Sequence, residues 1–313
     1  MPRLVIAIGG NSLIPDADHK SVQDQYGAAG ETGDHIAGLI EKGWDVAISH
    51  GNGPQVGFIL RRSELSSDEL HEIPLDYCGA DTQGAIGYML QQNLVNDFRQ
   101  RGIDKSVATV VTQVEVDRND PAFQNPSKPI GSFMGEEEAM RRRDEDGWDV
   151  REDSGRGWRR VVASPQPKQI VELEVIKDLL DAGVATIAVG GGGIPVIENE
   201  AGKLEGIAAV IDKDLASALL ASQVNADLLL ISTAVEQVAL NFGTPEQEWV
   251  DQFTLAEVKE RLAEGGHFAE GSMAPKMRAV VQFLEAGGKE ALITNPPNLE
   301  RAMAGETGTR IVQ

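Results

Sequence analysis

Leu4-Val5-Ile6-Ala7-Ile8 runs without a polar break into Gly9-Gly10-Asn11, and this junction decides how the rest of the chain is read. An uninterrupted apolar run rich in β-branched residues predicts a strand buried on both faces, and the paired glycines predict a tight turn at its carboxyl end. The pattern recurs. Asp45 to Ser49 leads into His50-Gly51-Asn52-Gly53-Pro54, and Val184 to Val189 leads into Gly190 to Gly193. Further strand-like runs stand at Ser106 to Thr112, Asp227 to Ser232 and Glu290 to Thr294. Between them, Ile36, Leu39 and Ile40 mark one amphipathic helix, and Ile86, Met89, Leu90, Leu94 and Phe98 mark another at three-to-four spacing. Strands alternating with helices predict an α/β fold with a mostly parallel sheet and helices on both faces.

Composition narrows the function. A chain of 313 residues can bury a sizeable core. Its formal net charge of −21 repels a polyphosphate backbone, so nucleic acid is disfavoured, while a nucleotide-sized anion needs only a few local cations. No stretch reaches the roughly 18 to 20 apolar residues of a membrane span, and the first apolar run reads as a strand, not a signal peptide. The single cysteine, Cys78, cannot form an internal disulfide, and the five histidines lack the close pairing of a zinc site. A cytoplasmic setting fits. Arginines outnumber lysines 17 to 11 beside 49 acidic residues, a balance that suits adaptation to high salt or ordinary bacterial acidity equally well.

From Asp117 to Gly157 the alternation breaks: Asn119, Asp120, Pro121, Pro126 and Pro129 precede Glu136 to Glu138 and Arg141 to Arg143. This segment is read as an excursion from the core carrying a short solvated helix, with Glu137–Arg141 and Glu138–Arg142 as helix-spaced ion pairs. The alternation resumes in the C-terminal part from about Asp212.

Three glycine turns at strand ends suggest a phosphate cradle. Ligands of open α/β sheets bind at the carboxyl ends of the strands, and glycine lets backbone N–H groups approach an anion closely. The plain alternative is that each turn only ends a strand. No Walker A sequence is present, and Gly51, Gly53 and Gly57 form only a weak dinucleotide-loop lookalike. Phosphoryl transfer needs the charge of the moving group neutralised, so lysines near such turns matter. Lys128 lies in Lys128-Pro129-Ile130-Gly131, Lys213 sits between carboxylates in Asp212-Lys213-Asp214 before a helical run, and Lys276 closes Gly271-Ser272-Met273-Ala274-Pro275-Lys276. A compact ammonium held between carboxylates suits a point charge meant for phosphate, although a simple salt bridge has the same spacing.

Taken together these segments resemble the motif set of carbamate kinases, in the family's order and over nearly the whole chain. The set also includes Thr82-Gln83-Gly84, Ile86-Gly87-Tyr88, Gly157-Trp158-Arg159-Arg160-Val161-Val162, Gly190-Gly191-Gly192-Gly193-Ile194-Pro195-Val196 and Val210-Ile211-Asp212-Lys213-Asp214. The Lys-Pro-Ile-Gly and Gly-Trp-Arg-Arg-Val-Val elements are the most specific, since aspartate, acetylglutamate, glutamate and uridylate kinases share related glycine turns.

The resemblance implies an αβα sandwich with a central, mainly parallel sheet and two lobes. Residues 1–210 would form the lobe for carbamate or carbamoyl phosphate, including a protruding subdomain at about 117–160, and residues 211–313 the lobe for ADP or ATP with Mg²⁺. It further implies a homodimer. By the same carry-over, Lys128 would reach over the substrate, Lys213 and Lys276 would hold the transferring phosphoryl group and nucleotide phosphates, and Asp214 would orient the lysines. Gly9, Gly10, Asn11, Gly51, Asn52 and Gly53 would line the substrate side. Ser232, Thr233, Ala234, Gly271, Met273 and Pro275, with Lys276, would line the nucleotide side; the metal would be held mainly by nucleotide phosphates, without a protein ligand set. Ser232 stands where an apolar residue is expected, and Ala239-Leu240 where an aromatic is common.

Other conspicuous residues have structural readings. His50 is expected to be a hydrogen-bonding residue, because carbamate is already ionised and needs no strong base. Cys78 is expected to be a buried filler, and Trp158 with Arg159 and Arg160 to pack the base of the excursion. Two other functions stay open at this point: phosphorylation of another small acid, and a catalytically silent nucleotide-binding regulator.

Overall fold

The computed structural model describes the chain except for residues 10–12, 15–17, 20, 154–156 and 270, so Gly10 and Asn11 lie outside the described residues. Among the described residues the central sheet has eight strands. In spatial order they are Gln252–Thr254, Thr309–Val312, Glu290–Thr294, Leu228–Ser232, Arg3–Ile8, Asp45–His50, Ala185–Ile187 and Val107–Thr109. Its neighbours pair in parallel, except that Glu290–Thr294 and Thr309–Val312 run antiparallel. Register brings Ile8 level with both His50 and Ser232, and Ser232 level with Thr294. The carboxyl ends of the central strands therefore share one edge, where the glycine turns begin.

Strand alternation divides the apolar residues between two cores. Leu4, Ile6 and Ile8 face the helices Val22–Glu41, Leu75–Arg101 and Leu299–Met303. Val5 and Ala7 face Leu173–Asp181, Lys213–Gln223, Leu255–Glu264 and Met273–Glu285. Because a strand's side chains alternate, an unbroken apolar run requires cover on both sides, and the two helical layers supply it. This is the αβα arrangement expected from the sequence.

The run Ser106 to Thr112 is not one strand. It pairs in the central sheet only over Val107–Thr109, and the chain then passes to Gln113–Val116 in a four-stranded sheet with Leu204–Gly206, Ile194–Glu198 and Pro167–Ile170. Buried Gln83 holds the crossing point: its amide accepts from Thr112 N at 2.7 Å and donates to the Thr112 and Gly190 carbonyls, each at 3.0 Å. Backbone groups between the two sheets are thereby satisfied without a ladder.

A three-stranded antiparallel sheet, Lys128–Met134, Trp158–Val162 and Val150–Glu152, carries the solvated helix Glu136–Asp146. Arg142 pairs with Glu138 at 2.9 Å as the spacing predicts. Arg141 instead closes its guanidinium fork on Glu138 and reaches forward to Glu145, each at 2.7 Å. Arg160 lies over the Trp148 ring at 4.7 Å, and Arg159 over Phe133 at 5.2 Å while donating to the Gly131 carbonyl. These residues pack this small sheet, in line with their structural reading.

Candidate active site

Asp212 starts the site. Its extended backbone and its side chain, which accepts from Asp214 N at 2.9 Å and Leu215 N at 3.4 Å, cap the helix Lys213–Gln223. Ala and Leu fill the following turns and bury them against the sheet. Lys213 and Asp214 thus occupy the first turn, where the helix dipole favours anions. Ser217, one turn on, shares a buried hydrogen bond with Ser49 at 2.5 Å, which ties this helix to the strand feeding the second glycine turn.

Around this helix start lies a cavity of roughly 200 Å³. Lys128 reaches it from the small sheet and Lys276 from the first turns of Met273–Glu285, while Gly51, Asn52, Gly53, Gly191 and Pro275 complete much of the wall. Lys213 Nζ lies 2.5 Å from Asp214 Oδ1, Lys276 Nζ 3.2 Å from Asp214 Oδ2, and Lys128 Nζ 2.7 Å from Asp212 Oδ2. Among the described residues, three lysines against two aspartates leave one formal positive charge in excess, in a chain whose formal charge is −21. Such a cavity attracts anions locally against the field of the whole molecule.

Burial alone would raise the Asp214 carboxyl, but Lys213 and Lys276 outweigh it and hold the group below its ordinary value. Burial similarly opposes ionisation of Asp212, and Lys128, Lys213 and the helix amides hold it well below the usual carboxylate range. For Lys213, burial dominates and lowers the ammonium, with Asp214 opposing. Both aspartates are therefore ionised at neutral pH, each spoken for by lysine.

The third glycine turn acts mainly as a spacer. Gly191 has φ +66°, and a Cβ on it would overlap the Asn52 side-chain amide. A Cβ on neighbouring Gly192, at φ +93°, would overlap the Ile211 carbonyl. The turn is thus wedged between the second turn and the segment that delivers Asp212, and only glycine permits that approach. Among the described residues the Asn52 side chain caps no amide; it donates to Thr82 Oγ1 at 3.0 Å instead. His50 is fully buried, its Nδ1 is 3.0 Å from the Gly51 carbonyl, and burial pushes its pKa down to about 4. Cys78 is buried as a filler, and burial pushes its thiol up to about 11.

Not every sequence candidate reaches this cavity. Gly51, Asn52, Gly53, Lys128, Lys213, Asp214, Gly271, Pro275 and Lys276 do. Gly9 ends the first strand, where its N–H bonds the Ser232 carbonyl at 3.0 Å. Met273 packs against the core beneath Met273–Glu285. Thr233 and Ala234 line a separate cleft of roughly 540 Å³ with Asn295, Pro296 and Pro297. Ser232 is buried, and among the described residues its Oγ has no hydrogen-bond partner, which suits a slot shaped for an apolar side chain. Asp212 was outside the candidate set, although an aspartate directly before a helical run is a recognisable cap signal.

A sequence profile described as the amino acid kinase family matches residues 2–295. The chain belongs to the amino acid kinase family. This amino acid kinase is 48% identical to a carbamate kinase of Thermococcus kodakarensis over 317 aligned positions, covering 100% of both chains. It is 50% identical to the carbamate kinase-like protein YqeA of Escherichia coli, covering 99% of each chain. Among solved structures it matches the carbamate kinase from Giardia lamblia bound to AMP-PNP with a TM-score of 0.91 and 40% identity, covering 99% of this kinase and 98% of that chain. The lysine-lined cavity is therefore set in a phosphotransferase.

Proposed function

We propose that this phosphotransferase is a carbamate kinase, moving a phosphoryl group reversibly between carbamoyl phosphate and ADP. The observation that carries the reading is one cavity faced by Lys128, Lys213 and Lys276, which outnumber the two aspartates among the described residues around it. In the ATP-forming direction, an oxygen of the ADP β-phosphate bonds to phosphorus as the bond from phosphorus to the carbamate oxygen breaks. The electron pair leaves with carbamate, which takes a proton from water on its nitrogen and decomposes to ammonia and CO₂. Carbamate departs as an anion, so no strong general acid is required. The ammonium groups neutralise charge spreading over the transferring oxygens, the dominant protein contribution to such reactions.

In this reading the substrate side belongs to residues 1–210, with Gly9, Gly10, Asn11, Gly51, Asn52 and Gly53, and the nucleotide side to residues 211–313. Gly271, Pro275 and Lys276 serve the nucleotide from the cavity, Thr233 and Ala234 from the separate cleft, and Ser232 and Met273 only support these segments from the core. The nucleotide enters as its Mg²⁺ complex, and the engagement of both aspartates with lysine favours an ion carried on phosphate oxygens. The Giardia relative's AMP-PNP complex favours an adenine nucleotide. A cytoplasmic homodimer is also proposed. Exposed Val22 and Tyr88 flank an apolar groove between the helices Val22–Glu41, Gly53–Leu65 and Leu75–Arg101, which a second copy would cover. Sedimentation equilibrium at twice the chain mass is the expected result; a monomer at all concentrations would refute it.

The test of function is ATP production from ADP with carbamoyl phosphate, beside acetyl phosphate and acetylglutamyl phosphate. Turnover with carbamoyl phosphate far above the other two is expected. Preference for another acyl phosphate would move the substrate assignment, and binding of ADP with no turnover on the panel would make the protein a silent regulator.

A further inference from the structure

Lys128 and Asp212 are separated by 84 positions in the chain and meet across the cavity at 2.7 Å. The two carboxylate oxygens of Asp212 have different tasks. Oδ1 accepts the backbone N–H groups of Asp214 and Leu215, so the first turn of Lys213–Gln223 fixes the plane of the carboxylate. Oδ2 is left to face the opposite wall, where it accepts from the Lys128 ammonium.

Lys128 has reason to need such a partner. It is the first residue of the strand Lys128–Met134, and its side chain is 32% exposed, against 15% for Lys213 and 14% for Lys276. A half-exposed lysine on a flexible stem otherwise samples many rotamers, and ordering it costs entropy at each encounter with substrate. One strong, charge-assisted bond to a rigidly capped carboxylate removes that freedom beforehand, and the remaining two N–H groups of the ammonium stay available to an anion.

We infer that Asp212 is a positioning residue for phosphoryl transfer: it aims the Lys128 ammonium from a helix start that also carries Lys213, locking two charges from distant parts of the chain into one geometry. This deepens the proposed function and rests on its placing of Lys128 at the reacting group. Asp212 does for Lys128 what Asp214 does for Lys213 and Lys276. A merely structural cap would need only an acceptor toward the Asp214 and Leu215 amides, which asparagine and serine both supply.

The experiment compares full-length wild type, Asp212→Asn, Asp212→Ser, Lys128→Ala and the double variant Lys128→Ala with Asp212→Asn, assayed for ATP formation from carbamoyl phosphate and ADP. The two Asp212 variants are expected to remain folded, with a lowered melting temperature from the lost ion pair, yet lose roughly 10- to 100-fold in kcat, the scale set by misplacing a reacting-site group by about 1 Å. KM for ADP is expected to stay near wild type. In the Lys128→Ala background, Asp212→Asn should cost almost nothing more, because the group it aims is gone. A wild-type kcat in both Asp212 variants, or an undiminished loss in the Lys128→Ala background, overturns the positioning role while leaving the site reading intact. Wild-type kinetics in Lys128→Ala overturn both.

Discussion

The Lys276 ammonium meets Asp214 Oδ2 at 3.2 Å although 62 positions separate the two residues, and the other oxygen of the same carboxylate already holds Lys213 at 2.5 Å. One carboxylate thus keeps two like charges close together, a grouping that repulsion would otherwise disperse. Asp214→Asn is expected to cost at least two orders of magnitude in kcat and to lower stability by up to about 3 kcal/mol, the lower end for a broken buried pair because both lysines retain some contact with water. Steady-state kinetics with urea unfolding measure both effects; an unchanged rate would remove Asp214 from the site.

Lys213→Ala should separate catalysis from folding. Asp214 keeps Lys276 as its partner, so no buried charge is left bare and the melting temperature should stay near wild type. The rate should nevertheless fall by about two to three orders of magnitude, the usual cost of losing one group that stabilises transition-state charge. Near wild-type turnover in a folded variant would exclude Lys213.

Acid should expose His50. In the unfolded chain its ring takes a proton below about 6.5, whereas in the fold burial delays this to about 4. Between those values the unfolded state binds more protons, so stability falls as pH is lowered through the window. By its foot the contribution of His50 to the loss is about 3 kcal/mol. Urea unfolding at stepped pH should show a shallower decline in His50→Asn than in wild type over this range. Identical slopes would refute the burial argument.

Gly57 and Gly131 touch where the helix Gly53–Leu65 crosses the strand Lys128–Met134, and a Cβ on Gly57 would overlap the Gly131 backbone. Gly57→Ala should therefore push this strand, and Lys128 at its start, away from the second glycine turn. Overpacking of this kind costs about 1 to 3 kcal/mol. KM for carbamoyl phosphate should rise more than KM for ADP; the reverse pattern would contradict the role given to Lys128.

Much of the architecture was legible in local patterns. Apolar runs such as Leu4 to Ile8 fill both faces of a strand, so they announce a sheet covered by helices before any partner is known. The short strands Gln252–Thr254, at the sheet edge, and Thr309–Val312, beside it, leave no signal in the sequence, because three or four residues are too few to display a period. The run read from Ser106 to Thr112 stops pairing in the central sheet at Thr109 and leads into a second sheet at Gln113, because a side chain from a helix, Gln83, replaces the ladder there.

The site divides along the same line. Gly51, Asn52, Gly53 and the three lysines could be nominated from chain neighbours alone, since turn chemistry and helix starts are written within a few residues. Which lysine answers to which aspartate could not. Lys213 flanks both Asp212 and Asp214 in sequence, yet Asp212 turns to Lys128 and Asp214 accepts Lys276 as well. That choice depends on how the sheet, the small subdomain and two helices meet in space, and charges this far apart along the chain become neighbours only when the intervening backbone has packed.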